Sequence, residues 1–365
     1  MLTVFMLLTD GPGQGGGIAR YNLDLLQALA LCPEVEQIHL LCRNGNPEAT
    51  VPEKVERFVV CPGKITFARK ALNMARTLPK TSLVFCGHVY MSPVALVIKR
   101  LTNVPFWLQL HGIDAWSRPS RLRAYACAQA SLVTAVSRYT RRRFLGWCPL
   151  PDERAKVLPN TVNPMFQVQD RQPAHGGSLR LLTVGRLAAG EAYKGHDRII
   201  RALPELKTQA PNCHYQIVGQ GDDKPRLIAL AADLGVSNSV EFLDSVSADA
   251  LPKIYAQADV FVMPSTGEGF GITFLEAMAS GLPALGMGVD GSVDPLADGT
   301  LGFIANESNL VETILAAARG PRGAALAAAT LARFGQEKYR AHVAELVRSY
   351  LSGLTPISDI KGTLA

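Results

Sequence analysis

Aromatic residues make up only 7% of this 365-residue chain, and no helix-turn-helix, ribonucleoprotein or zinc-finger pattern accompanies them, so a nucleic-acid partner is not expected. Nowhere do about 18 uncharged apolar residues follow one another, the length a membrane-crossing helix needs. The first apolar run, residues 2–8, lacks a basic flank and breaks at Asp10-Gly11-Pro12-Gly13. It reads as a strand rather than a signal peptide. The seven cysteines contain no C-x-x-C pair, which fits free thiols in a reducing compartment and argues against a zinc site. Also missing are the Gly-Lys-Ser/Thr ending of a P-loop and a D-x-D pair to bridge a divalent cation to phosphates.

What is present is an ordinary globular balance of 48% apolar and 19% charged residues, with length enough for two domains. The net charge of +6 is unevenly divided, residues 1–175 carrying +10 and residues 176–365 carrying −4. The basic half holds cationic runs at 64–76, 118–123 and 138–143. In the first of these, Ile65, Ala68, Leu72 and Ala75 follow helical spacing among lysines and arginines. That pattern suits a helix lying on an anionic membrane surface, although a solvated helix face would look the same.

Short apolar runs at 2–8, 37–42, 57–60, 82–86, 106–110, 132–135 and 155–157 read as strands, with helices such as 19–31 and 92–101 between them. Such alternation builds a parallel, doubly wound sheet. Residues 166–178, with Pro173 and Gly176-Gly177 among polar neighbours, interrupt the rhythm as a linker. It restarts with strands at 180–184, 214–218, 240–242, 260–263 and 283–286 and helices near 197–207, 224–234, 247–257 and 274–280, followed by a helical tail from about 324 to 351. The expected organisation is a first domain over 1–165, a linker over 166–178, a second domain over 179–335 and a tail over 336–365 packing back toward the first domain.

Loops after buried strands are where open α/β sheets bind ligands. Glu268 and Glu276 stand eight residues apart where the strand near 260 gives way to a helix, with Gly267, Gly269 and Gly271 permitting close backbone approach. Two carboxylates there suit a ligand rich in hydroxyls, whereas singly they read as a solvated loop charge and a complement to the helix dipole. Gly11-Pro-Gly-Gln-Gly-Gly-Gly17 opens the first helix and brings backbone N–H groups to an anion. Arg186 ends one strand and Lys194 enters the next helix, a forked donor and a point charge suited to two phosphates, or else a pair of surface cations. Val218-Gly219-Gln220-Gly221 and His111-Gly112-Ile113-Asp114 are further strand-to-loop turns.

Taken in order, these pieces, together with Ala135-Val136-Ser137, Val157-Leu-Pro-Asn160 and Glu276-Ala-Met-Ala-Ser-Gly281-Leu-Pro283, resemble the family 4 retaining glycosyltransferases of the GT-B fold over nearly the whole chain. The resemblance implies an α/β GT-B architecture, two doubly wound Rossmann-like domains facing a central cleft, the first binding the acceptor and the second the nucleotide sugar. By the same resemblance the catalytic set is Glu268 at the reacting sugar, His111 near its reactive face, and Arg186 and Lys194 on the diphosphate. Glu276 accepts hydrogen bonds from the ribose, and Gly16, Gly17, Gly219, Gly269, Phe270 and Gly271 complete the donor site. Neither metal nor cofactor is implied, the nucleoside diphosphate sugar (GDP-mannose or a UDP-hexose) being a co-substrate. The implied acceptor is a lipid-linked saccharide of bacterial cell-surface polysaccharide synthesis, the implied location cytoplasmic and peripheral on the inner face of the plasma membrane.

Three departures from the family pattern stand out. Arg186 and Lys194 are eight apart where about five is usual, Asn160-Thr161-Val162-Asn163 replaces Asn-Gly-Val-Asp, and Asp294 stands where Glu is frequent. Other readings predict different behaviour. A nucleotide-sugar epimerase would turn over the donor alone, against which the Glu-x7-Glu spacing argues, and a transferase with a soluble acceptor would ignore membranes. An NAD-dependent oxidoreductase would alter nicotinamide fluorescence, and a non-catalytic sensor would lack Arg186, Lys194 or Glu268, all of which are present.

Overall fold

The computed structural model describes residues 1–169, 178–244 and 246–354. They fall into two compact units: residues 1–136, 140–158 and the stretch from Glu337 onward form one, and Ser137–Tyr139 with Pro159–Gln336 the other. Most of the expected linker, residues 170–177, lies outside the described residues. At its start Phe166 is buried, its ring 5.6 Å from that of Tyr255.

The first unit opens with β1 (Leu2–Asp10), α1 (Gly17–Leu31), β2 (Val35–Asn44), β3 (Val55–Val60), α2 (Lys64–Ala75) and β4 (Ser82–Cys86). It continues with α3 (Ser92–Thr102), β5 (Phe106–Leu110), α4 (Ile113–Trp116), α5 (Arg121–Ala128), β6 (Leu132–Ala135), α6 (Arg138–Leu145) and β7 (Ala155–Val157). Its sheet runs β3-β2-β1-β4-β5-β6-β7, with parallel pairings such as Val4↔Ile38 and Val4↔Leu83. β4 and β5 are buried at every residue, as strands covered on both faces must be, and this is why they read as unbroken apolar runs. The exceptions are polar residues with partners. Tyr21 Oη on α1 donates to Gln109 Oε1 (2.6 Å), which also accepts from Thr134 Oγ1 (2.5 Å), and Trp107 Nε1 donates to Thr134 (2.5 Å). This satisfied buried chain fixes α1 against β5 and β6 at one register.

The second unit holds β8 (Leu179–Val184), α7 (His196–Gln209), β9 (Cys213–Val218), α8 (Lys224–Asp233), β10 (Val240–Leu243), α9 (Leu251–Gln257) and β11 (Val260–Val262). It is completed by α10 (Ile272–Ala279), β12 (Ala284–Gly286), β13 (Phe303–Ile304), α11 (Leu310–Arg319) and α12 (Ala324–Phe334); α13 (Gln336–Leu354) follows. The sheet order is β10-β9-β8-β11-β12-β13. In each sheet the winding reverses beside the first strand, between β1 and β4 and between β8 and β11. Outside the carboxyl ends of those strands lie the ligand crevices of doubly wound folds.

Three sequence expectations need correction. The helical tail is two helices, because Gly335 is extended (φ −69°, ψ 163°) and ends α12. On α2 the buried stripe is Phe67, Ala71, Met74 and Ala75, while Ile65 is 76% exposed. The run 138–143 is not a free cationic face. Arg138 pairs with Asp294 (2.6 Å) and Asp298 (2.8 Å), and Arg141 with Asp152 and the Ala155 carbonyl. On α2 and at its C-cap, by contrast, Lys64, Arg69, Lys70 and Arg76 are exposed. Among the described residues no helix is long and apolar enough to cross a membrane.

Candidate functional site

In the second unit the loop after β8 carries both expected phosphate cations, and the structure brings them together on a residue that the pattern alone did not single out. The Glu191 carboxylate pairs with Arg186 Nη2 through one oxygen and with Lys194 Nζ (3.4 Å) through the other. The longer spacing between the two cations therefore places an acid inside the loop that reaches both. Lys194 and Glu191 are largely enclosed, whereas the Arg186 side chain is 77% exposed. Tyr193 follows, its carbonyl accepting from Thr266 N–H (2.9 Å), so this loop is tied to the one after β11. Among the described residues no group of three His, Cys, Asp or Glu is arranged to hold a metal ion.

The loop after β11 presents Glu268. Burial, with the carboxylates of Asp290 and Glu191 nearby, raises its pKa above the ordinary range against the pull of the Lys194 ammonium. Its position is set by a residue that sequence reasoning missed. Asp290 is 1% exposed and accepts from Glu268 N–H (2.6 Å), Ser265 Oγ (2.8 Å), Ser292 N–H (2.9 Å) and Ser292 Oγ (2.6 Å). A buried carboxylate with four donors locks two loops together. The available signal was Asp-Gly-Ser just after a strand, an Asx turn. Gly291 is needed there, since a Cβ would stand 2.0 Å from the Gly269 carbonyl oxygen. Ser137 Oγ donates to that same oxygen (2.7 Å).

Glu276 lies in the second turn of α10 and accepts from Tyr255 Oη (2.9 Å); burial, and then this carboxylate, push the phenol's pKa well above its usual value. Gly271 caps α10. The Phe270 side chain is core, 2% exposed with its ring 6.0 Å from that of Phe334, so only its backbone faces the loop. Gly219 spends its N–H on the Leu243 carbonyl (2.9 Å). Asp294 accepts from both the backbone and the guanidinium of Arg138.

In the first unit Gly16 caps α1 with φ 99° and makes no side-chain cap hydrogen bond to the helix's first N–H groups; uncapped donors at a helix start are an anion-binding feature. His111, after β5, places Nε2 2.9 Å from the Gly87 carbonyl oxygen. Since a carbonyl only accepts, that nitrogen carries the proton and Nδ1 holds the lone pair. Burial, then His88, lowers the His111 pKa to about 3, and burial lowers that of His88 to about 4, so both rings are neutral. Asp114 accepts from His111 N–H (3.1 Å), and burial raises its pKa to about 7.

Two parallel doubly wound sheets with polar loops at their switch points define the GT-B class, and comparison with solved structures agrees. Anabaena HepE in complex with UDP superposes with a TM-score of 0.73 at 20% identity, covering 95% of this chain and 100% of that one. At that identity the likeness concerns the fold. The model for Glycosyltransferase Family 4 matches residues 15–166 and that for glycosyl transferases group 1 matches residues 166–322. The chain belongs to this family, glycosyltransferase family 4. Among curated relatives, the GDP-mannose-dependent alpha-(1-6)-phosphatidylinositol monomannoside mannosyltransferase of Mycolicibacterium smegmatis is 32% identical over 50% of each chain. The D-inositol 3-phosphate glycosyltransferase of Corynebacterium aurimucosum is 29% identical over 80% of each. The chain thus spans about half the length of the first of these relatives.

Proposed function

We propose that this protein is a retaining hexosyltransferase that takes a sugar from a nucleoside diphosphate donor and places it on a saccharide acceptor joined to a lipid. The observation that carries this reading is the carboxylate of Glu191 held by both Arg186 and Lys194. Two cations eight residues apart in sequence reach one anionic group, as binding a diphosphate requires. When the anomeric carbon–phosphate bond stretches, charge gathers on the leaving diphosphate, and these two cations are the groups assigned to stabilise it. Glu268 is assigned to the reacting sugar and Glu276 to the ribose, with the backbone of Gly219, Gly269, Phe270 and Gly271 around the donor. His111 supplies a neutral ring suited to a sugar hydroxyl. Transfer with retention follows if the acceptor hydroxyl attacks the face the diphosphate leaves, its proton passing to a phosphate oxygen.

In this reading the second domain binds donor and the first binds acceptor, and transfer proceeds without a metal ion, so activity is expected to survive EDTA. The relatives' names include both GDP-mannose and UDP, and both nucleotides are candidates here. A thermal-shift comparison of GDP with UDP decides between them, since a ligand at 100 times its dissociation constant stabilises by about 2.7 kcal/mol; no shift with any nucleoside diphosphate would overturn the reading. The proposed location is cytoplasmic and peripheral on an anionic membrane. Its support is α2, which carries exposed Lys64, Arg69 and Lys70 with exposed Ile65, and ends at exposed Arg76. Each such cation contributes about 1 kcal/mol near an anionic surface, screened within about 8 Å at physiological salt. Co-sedimentation with anionic vesicles at low and high salt tests this, with Arg69 and Lys70 changed to Glu as the variant expected to stay in the supernatant.

A further inference from the structure

The carboxyl edge of the first sheet holds a cavity of about 360 Å³ with three cations in its wall, Arg43, Lys64 and Arg123, and no acidic residue. None of the three makes an ion pair with a carboxylate among the described residues. Arg43 Nη2 reaches only the Pro62 carbonyl (3.2 Å), leaving its Nε buried and unpartnered. Thr9 Oγ1, at the end of β1 in the same wall, is also buried without a partner. Buried donors without acceptors are uncommon in folded proteins and mark where a ligand's acceptors belong. Above them stands Tyr90, 61% exposed yet fixed in place, its ring stacked at 4.5 Å on His88 with the Arg123 guanidinium 4.8 Å from its centre. This exposed, immobilised ring lies beside apolar Phe67 and Met91; with its faces taken by His88 and Arg123, it offers its exposed edge and hydroxyl to a sugar or cyclitol.

We infer that this cavity is an acceptor subsite for a phosphate ester carried on a hydroxylated ring, the phosphate oxygens received by Arg43, Lys64 and Arg123 and the ring meeting the exposed edge of Tyr90. Three donors without a counter-ion select a multiply charged anion, and a fork such as Arg43 suits phosphate geometry. The inference rests on the proposed transferase function and narrows its acceptor to phosphate-bearing molecules. The ester comes either from a soluble sugar phosphate or from a phospholipid headgroup.

Calorimetric titration of the full chain with glucose 1-phosphate, with glucose, and with phosphatidylglycerol vesicles tests it. A phosphate-bearing probe should bind and glucose should not. Arg43→Ala, Arg123→Ala and the surface change Lys64→Gln should each weaken the bound probe about tenfold, equal to about 1.4 kcal/mol, with Arg123→Lys recovering part of the loss. Lys194→Ala should leave that affinity unchanged while weakening nucleoside diphosphate binding. Preference for glucose 1-phosphate assigns a soluble acceptor, and preference for vesicles a lipid one. A wild type that binds nucleoside diphosphate but no phosphate probe, or a probe affinity equal in wild type and all three cavity variants, overturns the subsite. Absence of nucleoside diphosphate binding overturns the transferase reading instead.

Discussion

The sheet of the first unit runs β3-β2-β1-β4-β5 and that of the second β10-β9-β8-β11-β12, the same winding twice, yet the loops at their switch points carry unlike chemistry. After β4 and β5 two imidazoles are held neutral, at about 4 and 3, beside a carboxyl raised to about 7 and so about half ionised at neutral pH. After β8 and β11 they are ions in contact, with Arg186 and Lys194 on Glu191, and Asp290 beneath Glu268. Strand order thus chooses where a site forms, and the loop residues choose its chemistry. Neutral imidazoles can discriminate hydroxyls, while a loop of paired ions is suited to stabilising a leaving group.

The sharpest way to break that contrast is to remove the charge. Arg186→Ala and Lys194→Ala are each expected to lose roughly 2–4 kcal/mol of transition-state stabilisation, read as turnover at saturating donor; unchanged turnover in both would show that the ionic loop is not catalytic. The two glutamates divide next. Glu268→Gln should lower kcat, and Glu276→Ala should chiefly raise the donor KM, each by about 1.5–3 kcal/mol, the range for hydrogen bonds to charged groups. Reversed phenotypes would exchange their roles.

Acid should separate the units. His88 and His111 have lowered folded pKa values, so below the ordinary value of 6.5 the unfolded chain binds two more protons there; Asp114, with its raised value, binds one more when folded. The net of one proton from these three groups costs the first unit about 1.4 kcal/mol per pH unit as pH falls from 6.5 toward 4, and His39, also lowered by burial, adds to the loss. In the second unit His196, lowered to about 4, acts in the same direction, while Glu268, raised, opposes it. Hydrogen exchange at pH 7 and 5, corrected for intrinsic rates, should show protection falling more in the first unit, and equal losses would contradict the assignment. The smallest effect belongs to Glu191→Gln. Because Arg186 is largely exposed, freeing the cations contributes at most about 1 kcal/mol, so nucleoside diphosphate should bind up to about fivefold more tightly; weaker binding would make Glu191 a support rather than a competitor.

Both windings were legible in the sequence because strands buried on two faces appear as apolar runs with helices between them. What escaped depended on contacts distant in the chain. β13, Phe303–Ile304, has two residues, too short for any periodicity. The α2 stripe was misread because Ile65 and Phe67 are equally apolar and only the neighbouring strands select between them. The partners of Arg138 are 156 and 160 residues away, so its run read as free charge. Within the site, Arg186, Lys194 and Glu268 were readable by their position after strands. Glu191 was passed over as loop length, and Asp290 acts through hydrogen bonds that no spacing reveals.

The main chain bearing Arg186 is laced to the loop after β9. Gly185 N–H donates to Val218 O (2.9 Å), Leu187 N–H to Gln220 O (2.8 Å) and Asp223 N–H to Leu187 O (2.8 Å). The lacing depends on two residues without side chains. A Cβ at Gly219 would stand 1.9 Å from the Gly185 carbonyl oxygen, and one at Gly221 2.0 Å from that of Leu187. The backbone beside the proposed anion site therefore surrenders its conformational entropy when the protein folds rather than when a ligand arrives. Only side chains remain to be ordered on binding, at roughly 0.5–1.5 kcal/mol for a long one such as Arg186, and association there is expected to follow the diffusion of the ligand more than any rearrangement of the loop.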